Sequence, residues 1–165
     1  MMAPPIYDCY QHILAQSGDR RRRVIYMSPR GKVFHQSKAQ ELAQLDQLII
    51  LCGHYEGVDT RIIEEIVDEE VSIGDFVLTG GEIPACLVVD AVARLVDGVL
   101  ACPECYENES HTGGLLEYPQ YTRPVEFMGR TVPEVLLSGH HANIKKWRAE
   151  AALAETERLR PDLLK

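Results

Sequence analysis

Apolar positions along this chain fall into two kinds of run. Ile6, Tyr10, Ile13 and Leu14 recur at helical spacing, which predicts a helix over 5–16, stopped by Gly18 and Asp19. Val24, Ile25, Tyr26 and Met27 form a short β-branched and aromatic run, hence a strand, followed by a turn at Ser28-Pro29-Arg30-Gly31. Ser37 can cap a helix through Leu45. Leu48, Ile49, Ile50, Leu51 and Cys52 are apolar on both faces, as a buried parallel strand should be. A helix over 60–67, a strand over 70–73 and a strongly apolar helix over 83–96 complete the alternation, with Pro84 tolerated in the first turn. Strands alternating with helices predict an α/β fold with a mostly parallel sheet and helices on both faces.

The pattern then changes. Residues 98–123 are rich in Gly, Pro, Glu, Asn and Tyr and lack periodicity, while 132–137 and 141–159 read as helices. On the second of these, Ile144, Trp147, Ala151 and Ala154 make an apolar stripe that Lys145, Lys146 and Arg148 largely avoid. The expected organisation is an α/β domain over 1–100, a linker over 101–123 and a small helical domain over 124–165.

Composition narrows the class. Of 165 residues, 45% are hydrophobic and 25% charged, as in globular domains. No apolar run reaches the roughly 20 residues a membrane span needs. Met1-Met2-Ala3-Pro4-Pro5 does not read as a secretory signal. A net charge of −8 argues against indiscriminate coating of nucleic acid, though Arg20-Arg21-Arg22-Arg23 and the Lys145, Lys146, Arg148 cluster are local basic patches. Cys52 and Cys86 lie in apolar runs and are expected in the core, and Cys102-Pro-Glu-Cys105 lacks further ligands for a structural zinc, so no metal site is expected. The cysteine usage suits a reduced, cytoplasmic protein.

Three groups of residues could carry chemistry. Gly53, Gly57, Gly74, Gly80 and Gly81 follow predicted strands, where a parallel sheet binds its ligands and where glycine lets backbone approach them. Glu104, Glu107, Glu109 and Glu117 put carboxylates in a polar loop, with His111 as a rival base. Arg94 ends an otherwise apolar helix, where it could pair with Asp90 or face the loop.

Four segments in order carry a resemblance: Leu51-Cys-Gly-His-Tyr-Glu-Gly-Val-Asp59, Ser72-Ile-Gly-Asp-Phe-Val-Leu-Thr-Gly-Gly-Glu82, Leu115-Leu-Glu-Tyr-Pro-Gln-Tyr-Thr-Arg-Pro124 and Leu136-Leu-Ser-Gly-His-His-Ala-Asn-Ile-Lys-Lys-Trp-Arg148. Together they resemble the bacterial tRNA (guanine-N1)-methyltransferase family, over essentially the whole chain. The resemblance implies a SPOUT-class fold with a trefoil knot at the C-terminal end of the α/β domain, which the general rarity of knots would not suggest. It implies a homodimer whose active site combines the knot of one subunit with the linker and helical domain of the other. The methyl donor, S-adenosyl-L-methionine, is expected on three loops. These hold Tyr26, Met27 and Ser28, then Gly53, Tyr55 and Glu56, then Ser72, Ile73, Gly74, Asp75, Phe76, Val77, Leu78, Gly80, Gly81 and Pro84. Glu117 is expected near the donor's amino group, and magnesium is a candidate auxiliary ion.

The implied reaction is methylation of N1 of guanosine 37 in tRNA, beside the anticodon. Arg94 matches the family's arginine for the charge developing on O6, and Glu109 stands where the family usually has an aspartate base. The family's Ser-Gly-Asn-His reads Ser138-Gly139-His140-His141, which is expected to weaken a helix cap. The family's opening strand and Gly-rich loop have no counterpart before Met1, so an N-terminally truncated form is expected. The alternative function is accordingly a fragment that binds the donor and dimerises but is catalytically impaired.

Overall fold

A computed structural model describes residues 1–101 and 109–165. Cys102, Glu104, Cys105 and Glu107, raised above as candidate ligands and carboxylates, lie outside the described residues. The chain divides into two compact units, Met1–Ala101 and Cys102–Lys165.

The first unit alternates as its periodicity predicts. Helix α1 spans Ala3–Ser17, strand β1 Arg22–Val33, α2 Gln36–Leu42, β2 Gln47–Cys52, α3 Thr60–Ile66, β3 Glu69–Ser72 and α4 Glu82–Ala93. The three strands form a parallel sheet in the order β2-β1-β3. Side chains alternate across β1, so Ile25 and Met27 face one layer and Val24 and Tyr26 the other. On the first face Ile25, Met27 and Val71 join Ala39 and Leu42 of α2 and Ala85, Val88 and Val92 of α4 in one buried cluster. Val24 and Tyr26 are also buried, as are Ile62, Ile63 and Ile66 of α3, the helix that packs with α1.

Four expectations change. Residues 28–31 do not end β1; pairing with β3 resumes beyond them, so both Met27 and Lys32 oppose Val71. The four residues bulge out of the ladder, and Gly31 passes so close to the Glu70–Val71 backbone that a Cβ would not fit. β2 is partly exposed along its whole length, because it is an edge of the described sheet rather than a central strand. Ser37 does not cap α2; His35 precedes the helix, and its Nδ1 bonds the Ser37 hydroxyl at 2.9 Å. Cys86 is exposed rather than in the core, and Cys52 is half-buried.

The second unit has a two-strand antiparallel ribbon, β4 (Glu126–Phe127) with β5 (Arg130–Thr131), then a short helix α5 (Glu134–Leu137), a long helix α6 (His141–Leu159) and a 3-10 turn at Pro161–Leu164. The helix expected over 132–137 is present but shorter, at Glu134–Leu137, and the ribbon precedes it. His140 caps α6: its Nδ1 accepts from the Asn143 N–H at 3.3 Å. The stripe on α6 runs through Ile144, Trp147 and Ala151 but ends at the fully buried Thr156, with Ala154 exposed.

Candidate functional site

The bulge within β1 and the carboxyl ends of β2 and β3 place three loops side by side. The first leaves the ladder after Met27, where the Ser28 hydroxyl accepts from the Arg30 N–H at 3.2 Å and the Arg30 guanidinium pairs with Glu70 at 2.9 Å. The second begins at Gly53. In the third, the Ser72 hydroxyl accepts from the Gly74 N–H at 3.1 Å, and Gly74 takes φ 143°, a conformation that suits glycine. This loop then returns against the second. The Gly81 N–H donates to the Gly53 carbonyl at 2.8 Å, and Gly80 forms an antiparallel bridge with His54. A Cβ on Gly81 would lie 2.9 Å from Cys52 Cα and 3.0 Å from Gly53 N. Gly81 therefore lets the loops lace together backbone to backbone.

The result is a cleft of about 450 Å³, within the range of small-molecule sites. Tyr26 forms part of its wall. Its hydroxyl would stand 2.8 Å from a Cβ on Gly53, so the ring uses the space that glycine leaves. Burial, reinforced by the Glu70 charge, pushes its phenol above the ordinary tyrosine value. Cys52, at the end of β2, also has its thiol pushed up by burial, so it is a poor nucleophile.

All the residues expected on the three loops line this cleft except Asp75, which is exposed on the third loop and absent from the lining. Arg30, Val58 and Thr60 line it without having been anticipated, and so does His54, which lay within an expected span but was not singled out. The Tyr55 N–H donates to His54 Nδ1 at 2.8 Å, which leaves Nε2 as the ring's donor when it is neutral. Only the His54–Gly80 bridge, between residues far apart in sequence, would have revealed that role.

In the second unit Glu109 and Glu117 line a cavity of about 580 Å³ together with His141, Lys145 and Arg148 of α6. Short hydrogen bonds fix the strand of chain that carries the carboxylates. Ser110 Oγ accepts from the Glu117 N–H at 3.0 Å, and Thr156 Oγ1 accepts from the Leu116 N–H at 2.8 Å while donating to the Ala152 carbonyl at 2.7 Å. His111 is exposed, with φ 73°, and is absent from the cavity lining. Lys145 and Lys146 part company: the first lines the cavity, whereas the second lies 3.8 Å from Glu150. Arg94 is the half-buried C-cap residue of α4 in the first unit. The Arg20–Arg23 patch is largely self-contained, since Arg21 pairs with Asp46 and Arg23 with Glu41 and Glu69. Among the described residues no group of three or more His, Cys, Asp or Glu could hold a metal ion.

The family model described as tRNA (Guanine-1)-methyltransferase TrmD matches residues 1–165. The tRNA (guanine-N(1)-)-methyltransferase of Ruminiclostridium cellulolyticum is 58% identical over 163 residues, covering 99% of this chain and 70% of that protein. Its counterpart in Lachnospira eligens is also 58% identical over 163 residues, covering 99% and 69%. The one in Alkaliphilus oremlandii is 54% identical over 169 residues, covering 100% and 68%. The chain belongs to the tRNA (guanine-N1)-methyltransferase family, a family of S-adenosylmethionine-dependent methyltransferases.

Proposed function

We propose that the chain methylates N1 of guanosine 37 in tRNA and that the three-loop cleft holds S-adenosylmethionine. The observation that carries the proposal is the lacing of the loops through Gly53, Gly80 and Gly81, which presents backbone and apolar side chains such as Ile73 and Leu78 to one cleft of suitable size. The bound donor supplies an electrophilic methyl group on a sulfonium. The protein's part is to hold the acceptor in line with it and to manage the acceptor's proton. Guanine N1 is protonated at neutral pH, so a base must take that proton as the methyl arrives. We assign this to Glu109, which lines the cavity of the second unit where His111 does not. We assign to Arg94 the negative charge that develops on O6. Glu117 is assigned to the donor's amino group.

The same reading divides the chain at 1–100, 101–123 and 124–165, with the last part binding tRNA, and gives the first part the trefoil knot. It also makes the protein a homodimer acting in the cytoplasm. Ile83, Leu87 and Val89 are exposed on α4, which supports a partner covering that helix. No described helix is long and apolar enough to cross a membrane. Magnesium dependence is read by turnover before and after chelation.

Methyl transfer from labelled donor to a tRNA transcript with guanosine at position 37 tests the assignment, with adenosine 37 as control. Glu109→Gln is expected to lower kcat at least a hundredfold, within the contribution of a general base, with donor binding by calorimetry unchanged. Turnover equal to the parent would remove Glu109 from the role.

A further inference from the structure

Among the described residues of the second unit, the only buried one is Thr156, and it is polar. A hydroxyl taken out of water is costly unless it is hydrogen-bonded, and both functions of this one are used. It donates to the Ala152 carbonyl one turn back on α6 at 2.7 Å, and it accepts from the Leu116 N–H at 2.8 Å, from a residue 40 positions away in the chain. The best-shielded point of the unit is thus a tether between α6 and the segment that carries Glu117. The tether continues to Glu109 through the two neighbours of Leu116. The Leu115 carbonyl accepts from the His111 N–H at 2.8 Å, and the Glu117 N–H donates to the Ser110 hydroxyl at 3.0 Å. The Glu109 carbonyl accepts from the Thr112 N–H at 3.3 Å. Every residue from Glu109 to His111 is therefore tied down, and through Leu116 the whole turn is tied to α6, whose Lys145 and Arg148 line the same cavity as Glu109 and Glu117.

We propose that Thr156 and Ser110 are positioning residues for methyl transfer: through the Leu116 and Glu117 amides they set where Glu109 stands against α6. The inference rests on the reading above that makes Glu109 the base. A base must come within hydrogen-bond reach of the proton it removes, and a misplacement of about 1 Å is enough to slow a reaction severely. A glutamate has three side-chain torsions, so its carboxylate is well placed only if its backbone is. Neither hydroxyl needs to touch the substrate. Each acts by leaving no freedom in the turn that ends at the carboxylate.

The test is single-turnover methyl transfer by the full chain from labelled donor to the guanosine-37 transcript. Ser110→Ala and Thr156→Val are each expected to lower the rate about tenfold, at a temperature where circular dichroism shows the variant folded, with donor affinity as in the parent. Ser110→Thr and Thr156→Ser keep the hydroxyl and should return most of the rate. In the Glu109→Gln background neither substitution should slow the residual transfer further, because a tether that acts through the carboxylate then has nothing left to place. Ser110 is only half-buried, so Ser110→Ala carries the test alone if Thr156→Val does not fold. Ser110→Ala at the parental rate overturns the proposal, and so does a loss that multiplies with that of Glu109→Gln. Turnover in Glu109→Gln equal to the parent would overturn the base assignment and this inference with it. A slow Glu109→Gln beside a parental Ser110→Ala removes this inference alone.

Discussion

Single glycines decide whether the three-loop cleft can exist. Gly81 has φ −81° and ψ −4°, which any residue adopts, so its requirement is one of space and not of backbone freedom. A Cβ there meets Cys52 Cα and the Gly53 nitrogen, which are backbone atoms that cannot swing aside. Gly81→Ala is therefore expected to cost about 1–3 kcal/mol in overpacking and to weaken donor binding about tenfold, the lower part of that cost converted to affinity. Calorimetry with S-adenosylmethionine reads the effect. Gly113→Ala is the control, since open space surrounds that position, and it should leave donor affinity untouched. Equal affinities for the parent and Gly81→Ala would mean that the loops need not be laced this tightly.

Helix ends and helix faces set the next level. Asp59 caps α3, whose Thr60 and Ile63 line the cleft, by accepting from the Arg61 N–H at 3.0 Å and its guanidinium at 2.7 Å. The Arg61 hydrogen bonds hold the Asp59 carboxyl down at about 2. A depressed native value means that the cap's contribution is complete above the unfolded value of about 4 and disappears as the pH falls towards 2. In acid titration followed by circular dichroism, the difference in stability between the parent and Asp59→Asn should shrink across that window; a difference constant with pH would deny the cap its charge. On α6 the buried Thr156 is the acceptor for the Leu116 N–H beside Glu117. Thr156→Val keeps the shape and strands that donor, at a cost of about 1–3 kcal/mol, seen as a lower urea midpoint. Thr156→Ser should hold most of the stability, and a silent Thr156→Val would show that the linker is anchored elsewhere. These contacts also mark where reading the sequence stops. The parallel sheet and α1, α3 and α4 followed from periodicity because each carries a local pattern. Ser28-Pro29-Arg30-Gly31 spelled a turn, but the pairing of Lys32 and Val33 with β3 carries the strand past it, and that pairing is not local. Helix α4 is apolar on nearly every side, so no period could tell that Cys86 is exposed while Val88 is buried. That the three loops meet in one cleft was legible through their motif residues, whereas Arg30 and His54 join that cleft through Glu70 and Gly80, partners that spacing does not reveal.

That apolar surface on α4 belongs to the scale of the whole molecule. Pro84, Ala85, Val88 and Val92 satisfy the core, yet Ile83 is 69% exposed and Leu87 46%. Side chains of this size gain about 1.5–3 kcal/mol each when buried, and clustered exposure on one helix is the mark of an interaction surface. In the homodimer proposed here they would lie at the contact, on the same helix that ends at Arg94, so assembly and catalysis would share one element. Leu87→Asp puts a carboxylate on that face, where burial without a partner costs several kcal/mol. The dimer dissociation constant should then rise by at least about a hundredfold, the equivalent of roughly 3 kcal/mol. Sedimentation equilibrium should find twice the monomer mass for the parent at micromolar concentration and the monomer mass for Leu87→Asp. Glu64→Gln, a surface change on α3 in the same unit, should leave the parent's mass unchanged. Because Leu87 is half-exposed in the single chain, the variant should fold, and its monomer should keep the donor cleft, whose lining does not include it. Donor binding retained with methyl transfer lost on dissociation would tie catalysis to the dimer. A parent chain that sediments as a monomer would leave the exposed face of α4 without the partner assigned to it.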